Sequence, residues 1–387
     1  MTQYDEDYKI CKRCVCDSTV SNFKIDSNNE CNYCKMHDGL DKRYPVDTSG
    51  KLFEELIGKI KKAGRNKKYD VVVGVSGGRD SIYALYKLKE AGLRPLGVHL
   101  DNGWVNEIAQ QNIKKASEKL GVDIIEYEFD DEKVKQMYKA CLKASVPDIC
   151  LPCSIGVGSS LYKAAVKHNV PYVVISISFR TEGVYPLKEN YCDGLYYDHI
   201  MKQFNGPEIK NFNKMKLLDF MRYVFLKKIK IIQLPFYQYD YDPKKIDEIL
   251  KKEINWVCGG KHHFDCTYHP LAFYVKFHKF GFDNRRIGYS AQVRSGYKNR
   301  EETLKELEKI QEYDEDVKKS LKELNISDKE FNEIMAQKVK CFEDYPNYHS
   351  LVSHFKPFFK ILSKLNLLPE SIYEKFFDSA EKSKSSI

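Results

Sequence analysis

The pattern of hydrophobic and polar positions changes character along the chain. Residues 1–45 are polar, and a turn-rich joint, RYPVDTSGK, follows them. From about residue 50, short apolar runs alternate with segments of helical period. The strands predicted are DVVVGV (70–75), LGVHL (96–100), DIIEYEF (123–129) and PYVVISIS (171–178). Helices are predicted over 81–92 and 106–121, each closed by glycine, and over 131–144 and 154–169. Near-continuous apolar strands separated by helices predict a parallel sheet covered on both faces, with ligands at the carboxyl ends of its strands. Past residue 200 the chain is Lys-rich, with helical patterns over 212–228, 243–254, 299–324 and 327–339. The last of these opens with Ser327 and Glu330 at capping-box spacing. The expected division is a small N-terminal unit (1–45), an α/β domain (46–205) and a mainly helical region (206–387).

Composition adds limits. With 42% hydrophobic residues, the 387-residue chain can build a substantial core, and a net charge of +8 suits anionic ligands such as nucleotides without requiring nucleic acid. MTQYDEDYKI is polar and acidic, so no leader is expected; no apolar run approaches a membrane span, so no membrane partner is expected. The expected location is cytoplasmic. Twelve cysteines in a reducing compartment point to metal binding or catalysis rather than disulfides.

The chemistry concentrates in a few stretches. Cys11-x2-Cys14 and Cys31-x2-Cys34 fit a four-cysteine zinc ribbon, a closed structural Zn²⁺ site for a segment too small to own a core. In SGGRDS (76–81), Gly77 and Gly78 let an anion approach backbone N–H groups, and the following helix aims its positive end at the same spot. Ser76 and Ser81 offer hydroxyls and Arg79 a charge. The plain alternative is a strand–turn–helix corner capped by Asp80 and Ser81. HLDNGW (99–104) ends the second strand, and is either a ligand edge or a polar helix cap. Cys150 and Cys153 in DICLPC, with distant Cys266, make a second thiol group: a metal or cluster site, or buried thiols.

SGGRDS closely resembles the pyrophosphate-binding loop (PP-loop), Ser-Gly-Gly-x-Asp-Ser, of the adenine nucleotide alpha-hydrolase (HUP-like) fold. The resemblance implies that Ser76, Gly77, Gly78, Asp80 and Ser81 hold the pyrophosphate of ATP with Mg²⁺ nearby, and that Asp101 and Asn102 line the adenosine pocket. Arg79 stands where that family often has lysine. It also implies AMP-forming chemistry, in which a substrate oxygen attacks the α-phosphate and a nucleophile then displaces AMP.

CKRCVCDSTVSNFKIDSNNECNYC, SGGRDS, CLPCSIGVGSSLYKAA, SFRTEGVYP, GGKHH and VRSGYKNREETLKEL occur in one order. That order resembles the N-acetyl sugar amidotransferases of bacterial surface-polysaccharide (LPS, pseudaminic-acid type) and flagellin-glycan pathways, over about residues 10–310. The resemblance implies conversion of an acetamido group on a sugar or nucleotide sugar to acetamidino, with ammonia from a separate glutaminase subunit. Arg180 and Glu182, after the fourth strand, are expected at the substrate; Lys261 and His262 are candidate phosphate or acid–base groups; Arg294 and Arg300 are candidate phosphate contacts. Surface or structural roles are the alternative for each. The chain departs from the family's aromatic-Glu-Ser run at His263-Phe264-Asp265-Cys266. The rival is an iron–sulfur-dependent PP-loop sulfur transferase, acting on tRNA or a small molecule through a 4Fe-4S cluster on Cys150, Cys153 and Cys266; only it calls for nucleic acid. A third reading is a nucleotide-binding module whose ribbon recruits a partner. A homodimer is compatible with all three.

Overall fold

A computed structural model of the chain describes residues 8–208, 214–237, 241–259, 265–309, 314–368 and 370–377. Five parallel strands form one sheet in the order β3-β2-β1-β4-β5: β1 Val71–Gly74, β2 Pro95–Asp101, β3 Ile124–Glu128, β4 Tyr172–Ile175 and β5 Lys230–Gln233. The chain builds outward from β1 to β3, then returns to the other side of β1 with β4. Strand order therefore reverses between β1 and β4, and the crevice at their carboxyl ends is where such sheets bind ligands.

The period of two along β1 sends its valines to opposite layers. Val71 and Val73 join Ile82 and Leu85 of α3 (Arg79–Glu90) in one core, which also holds α2 (Lys51–Gly64) and α4 (Glu107–Leu120). Val72 joins Leu161 and Ala165 of α6 (Leu151–Lys167) on the other face. The helix preceding α2 is α1, Asn32–Arg43, and α5 spans Asp131–Lys143. A further core packs α5, α6 and α7 (Gly194–Gln203) against α10 (His269–Phe280), α13 (Asp314–Glu323) and α14 (Asp328–Ala336).

The predicted four strands are all present, and a fifth comes from beyond residue 205. β5 pairs with β4 over Tyr172–Ile175, and α9 (Pro243–Ile254) lays Ile246, Leu250 and Ile254 into the core beneath α3. The α/β layer thus continues past the expected boundary. Two predicted helices are also interrupted. The 212–228 pattern yields a short α8, Leu217–Met221, running into a π-helical turn at Arg222–Leu226. The 299–324 pattern yields α12, Arg300–Glu308, whose cap Lys309 turns extended, and then α13. Ser327 caps α14 through the N–H of Glu330 at 3.2 Å, but the Glu330 carboxylate answers Lys139 and Lys143 instead of closing the box. The remaining helices are α11 (Arg285–Arg294), α15 (His349–His354), α16 (Lys356–Lys364) and α17 (Glu370–Phe377). No helix among the described residues is long and apolar enough to cross a membrane.

Leu250 is fully buried between α9 and the sheet layer. Leu250→Ala is expected to lower the unfolding free energy by about 2–5 kcal/mol in chemical denaturation. A loss near zero would mean that α9 is not part of this core.

Candidate active site

The turn after β1 sits at the reversal of strand order. Gly77 has φ +83°, and a Cβ there would lie 2.4 Å from the Ala109 carbonyl oxygen, so only glycine lets α4 approach. Its own carbonyl is held from two sides, by Asn112 Nδ2 at 3.2 Å and Trp256 Nε1 at 3.0 Å. Because a trans peptide points its C=O and N–H in opposite directions, pinning this carbonyl inward turns the Gly78 N–H toward the Ser76 hydroxyl, 3.4 Å away. Ser81 Oγ lies 3.1 Å from the Ser76 N–H and 3.2 Å from the Ser76 hydroxyl. Gly78 caps α3, so the Ser76 and Ser81 hydroxyls lie at the positive end of a three-turn helix.

Arg79 does not face that spot. Its guanidinium forks onto the Asp247 carboxylate of α9, with Nη2 to Oδ2 at 2.8 Å. Asp80 does face it: its carboxylate accepts from the Tyr241 hydroxyl at 2.6 Å, and burial, together with Asp247 and Asp265, raises its pKa.

Two further carboxylates join Asp80. Glu182 follows β4, its backbone N–H donating to the Ser178 carbonyl at 2.9 Å; burial, then Asp80 and Asp265, push its carboxyl up to about 8. Asp265 arrives from far along the chain. The segment 265–267 pairs antiparallel with 104–106: Val105 bridges Cys266, Asn106 N–H donates to the Asp265 carbonyl at 3.0 Å, and Thr267 N–H to the Trp104 carbonyl at 2.8 Å. This places the Asp265 carboxylate 3.4 Å from where a Cβ on Gly78 would be. Tyr241 carries no sequence signal as a site residue, and Asp265 shows only within the run where the chain departs from the resembled family's aromatic-Glu-Ser. Asp265 stood next to a cysteine read as a metal ligand, and Tyr241 lies in an unremarkable QYDYD.

The same pairing gathers the second thiol group. Cys150, Cys153 and Cys266 pack against one core around Tyr138 and Tyr268, within electrostatic reach of one another. Burial pushes the Cys266 thiol up to about 12 and raises the other two. Asn102 points into this group, its Nδ2 3.2 Å from Cys153 Sγ and 3.4 Å from the Tyr138 hydroxyl; Asp101 caps the N–H of Gly103 at 2.9 Å. Arg180 is buried over the Phe179 ring and holds Asp41 of α1, with Nε 3.0 Å from Oδ1, and the Tyr44 carbonyl. Lys261 and His262, with His263 and Phe264, lie outside the described residues.

Cys11, Cys14, Cys31 and Cys34 are fully buried, their sulfurs within 4.8 Å of one another, and this is the one compact metal-binding group among the described residues. Neighbouring sulfurs are 3.6–3.7 Å apart. Four thiolates at a Zn–S distance of ~2.3 Å in a tetrahedron would stand ~3.8 Å apart, so the set fits one ion. Cys31 N–H points at Cys11 Sγ (3.3 Å), Cys16 N–H at Cys14 Sγ (3.5 Å), and Arg294 Nη1 also at Cys14 Sγ (3.5 Å). Arg300 holds the carbonyls of Cys14 and Cys11 at 3.0 and 2.8 Å. Both arginines expected at phosphate thus fasten the ribbon.

Residues 261–362 match the family model described as "LPS biosynthesis protein WbpG-like, C-terminal domain". The chain carries a WbpG-like C-terminal domain. That segment includes α11 and α12, onto which the ribbon docks. Among curated proteins, the tRNA-specific 2-thiouridylase MnmA 2 of Clostridium botulinum is 29% identical over 94 residues, covering 22% of this chain and 27% of that protein. The chain thus spans about a quarter of the length of the curated relatives it matches. Among solved structures, the U34-tRNA thiolase NcsA from Methanococcus maripaludis with its [4Fe-4S] cluster is 16% identical, covering 67% of this chain and 81% of that one at a TM-score of 0.30. The NH3-dependent NAD synthetase from Campylobacter jejuni is 18% identical, with coverages of 53% and 93% and a TM-score of 0.28.

Gly77→Ala is expected to abolish ATP binding in calorimetry while far-UV circular dichroism keeps its shape. The strain of φ +83° and the clash with α4 fall on the loop itself. Unchanged ATP affinity would mean that the loop does not hold nucleotide.

Proposed function

We propose that the protein is an ATP-dependent amidotransferase that converts an acetamido group of a surface-glycan sugar to acetamidino, forming AMP and pyrophosphate and using ammonia from a partner glutaminase. The observation that carries this is the Ser-Gly-Gly-Arg-Asp-Ser loop at the sheet's crossover crevice, closed over by Asp265 at the edge of a WbpG-like C-terminal domain. The Ser76 and Ser81 hydroxyls, the Gly78 N–H and the α3 N-terminus bind the leaving pyrophosphate. The substrate's amide oxygen attacks the α-phosphate, the bond to pyrophosphate breaks, and a cationic O-adenyl imidate forms. Ammonia adds to the imidate carbon, one proton is lost, and the C–O bond breaks to release AMP and leave the amidinium. Positioning and charge stabilisation are the protein's contribution.

Asp80, Glu182 and Asp265 lie within electrostatic reach of one another, and a divalent cation entering with the nucleotide would draw on them. Their burial and mutual repulsion favour neutralisation by such an ion. Bound there, Mg²⁺ supplies the charge that offsets the phosphates. The ribbon cysteines would hold Zn²⁺ as a structural ion.

Incubation with ATP, Mg²⁺, ammonium and a panel of acetamido sugars is expected to give AMP and pyrophosphate with at least one sugar, and Asp80→Asn to lower that rate by about 100-fold or more. Release of no AMP with any acetamido sugar would end the reading. A pH signature accompanies it. Glu182, held protonated below about pH 8, must ionise to take a cation, so Mg²⁺–ATP binding at pH 7 is expected to release close to one proton. Affinity should rise with pH up to about 8. Calorimetry in buffers of different ionisation enthalpy reads this directly, and Glu182→Gln should release none.

A second reading rests on the convergence of Cys150, Cys153 and Cys266 beside the same crevice: a sulfur transferase carrying an iron–sulfur cluster there. Anaerobic purification separates the two. A brown protein whose iron is lost on Cys266→Ala favours sulfur chemistry; a colourless protein with about one zinc per chain excludes it.

A further inference from the structure

Two segments at the β5 edge expose apolar side chains together. Leu218 and Leu226, on α8 and the π-helical turn after it, are 79% and 76% exposed, and Ile361 on α16 is 56% exposed. Phe225 and Phe358, both exposed, stack with ring centroids 5.8 Å apart, and Phe220 meets Phe359 at 6.5 Å. The seam makes the two segments one surface. Beneath it, Val224, Leu362 and Tyr373 form a small core that fixes both.

The helix α16 divides its circumference in three. Leu362 and Phe359 face that core. Phe358, Ile361 and Leu365, at spacings of three and four, make an exposed apolar stripe. Lys356, Lys360 and Lys364, spaced by four, make a basic stripe beside it. Residues 214–230 hold six Lys or Arg and one Asp, and residues 349–366 hold three Lys and no acid. Lys214 and Lys216 pair with Asp198. Arg222, Lys227, Lys228, Lys360 and Lys364 have no ion-pair partner among the described residues.

We infer that this face lies on an anionic lipid bilayer, with the leucines, isoleucine and phenylalanines in the headgroup boundary and the lysines at the phosphates. Apolar patches of this kind mark protein or membrane contacts. The composition chooses between them. Protein interfaces are depleted in lysine and favour Tyr, Trp and Arg at their centres, whereas this face combines Leu, Ile and Phe with mostly lysine and almost no carboxylate. Lysine stems extend along apolar surface while their charges reach outward to anionic headgroups. A surface-lying face needs no long apolar run. The inference is independent of the reaction proposed above.

The full-length protein is incubated with phosphatidylglycerol vesicles or phosphatidylcholine vesicles and sedimented at low and high salt. Association with the anionic vesicles is expected to be at least about tenfold stronger and to fall with salt. Leu226→Glu combined with Ile361→Glu should abolish it, and Lys360→Glu combined with Lys364→Glu should remove the preference for anionic lipid. All four side chains point outward, and circular dichroism checks that each variant keeps its fold. Protein that stays in the supernatant with both vesicle types overturns the inference. So does a concentration-dependent dimer, abolished by the same Leu226 and Ile361 substitutions, in protein that ignores vesicles: the face would then bind a second copy of the chain.

Discussion

A three-residue pairing, Trp104–Asn106 against Asp265–Thr267, holds the candidate site together. It crosses about 160 residues of chain and joins the edge of the sheet to the WbpG-like domain. Without it Asp265 would not reach the glycine turn, and Cys266 would not reach Cys150 and Cys153. The pairing also seats Tyr268 in the core between Trp104 and Tyr138, with ring centroids 5.0 and 4.4 Å away. Apolar burial there secures a connection that so few backbone hydrogen bonds would not hold in water.

What the sequence makes legible is mostly local. The near-continuous apolar runs along 70–75 and 171–178 find β1 and β4, because both faces of a central parallel strand are buried. Cysteine spacing finds the ribbon, because a tetrahedral ion dictates it. Helix α9 is found with its Pro243 start. β5 is missed: KIIQ is short and follows a π-helical turn that the helical pattern runs straight across. The site is only half visible. SGGRDS announces the turn, yet Asp265, Tyr241 and Asp247 are identifiable only once separate elements meet. Arg180, Arg294 and Arg300 illustrate the same limit. Their type suggests an anion, but in the fold each meets a carboxylate, a thiol or a carbonyl of the N-terminal unit.

The charge balance at the turn follows from one choice of partner. Arg79 is committed to Asp247, so the cation nearest the loop in sequence ties α3 to α9 instead of meeting the crevice. The crevice is left with Asp80, Glu182 and Asp265. A polyanion without a metal ion would meet repulsion there, whereas backbone N–H groups and a helix terminus, which bear partial charges, provide direction more than neutralisation. On the function proposed, preference for a metal-complexed nucleotide over a bare one would follow from the protein's own charge arrangement.

The ribbon's docking surface has a consequence for the order in which the molecule is made. The four cysteines leave the ribosome well before Arg294 and Arg300, which hold Cys14 and Cys11 and are synthesised more than 250 residues later. At elongation rates of about 5–20 residues per second, that interval is on the order of tens of seconds. During it the nascent ribbon would lack that docking surface. Early metal capture would shield the thiols from oxidation through that wait, and would deliver a finished knuckle for the last third of the chain to fold against.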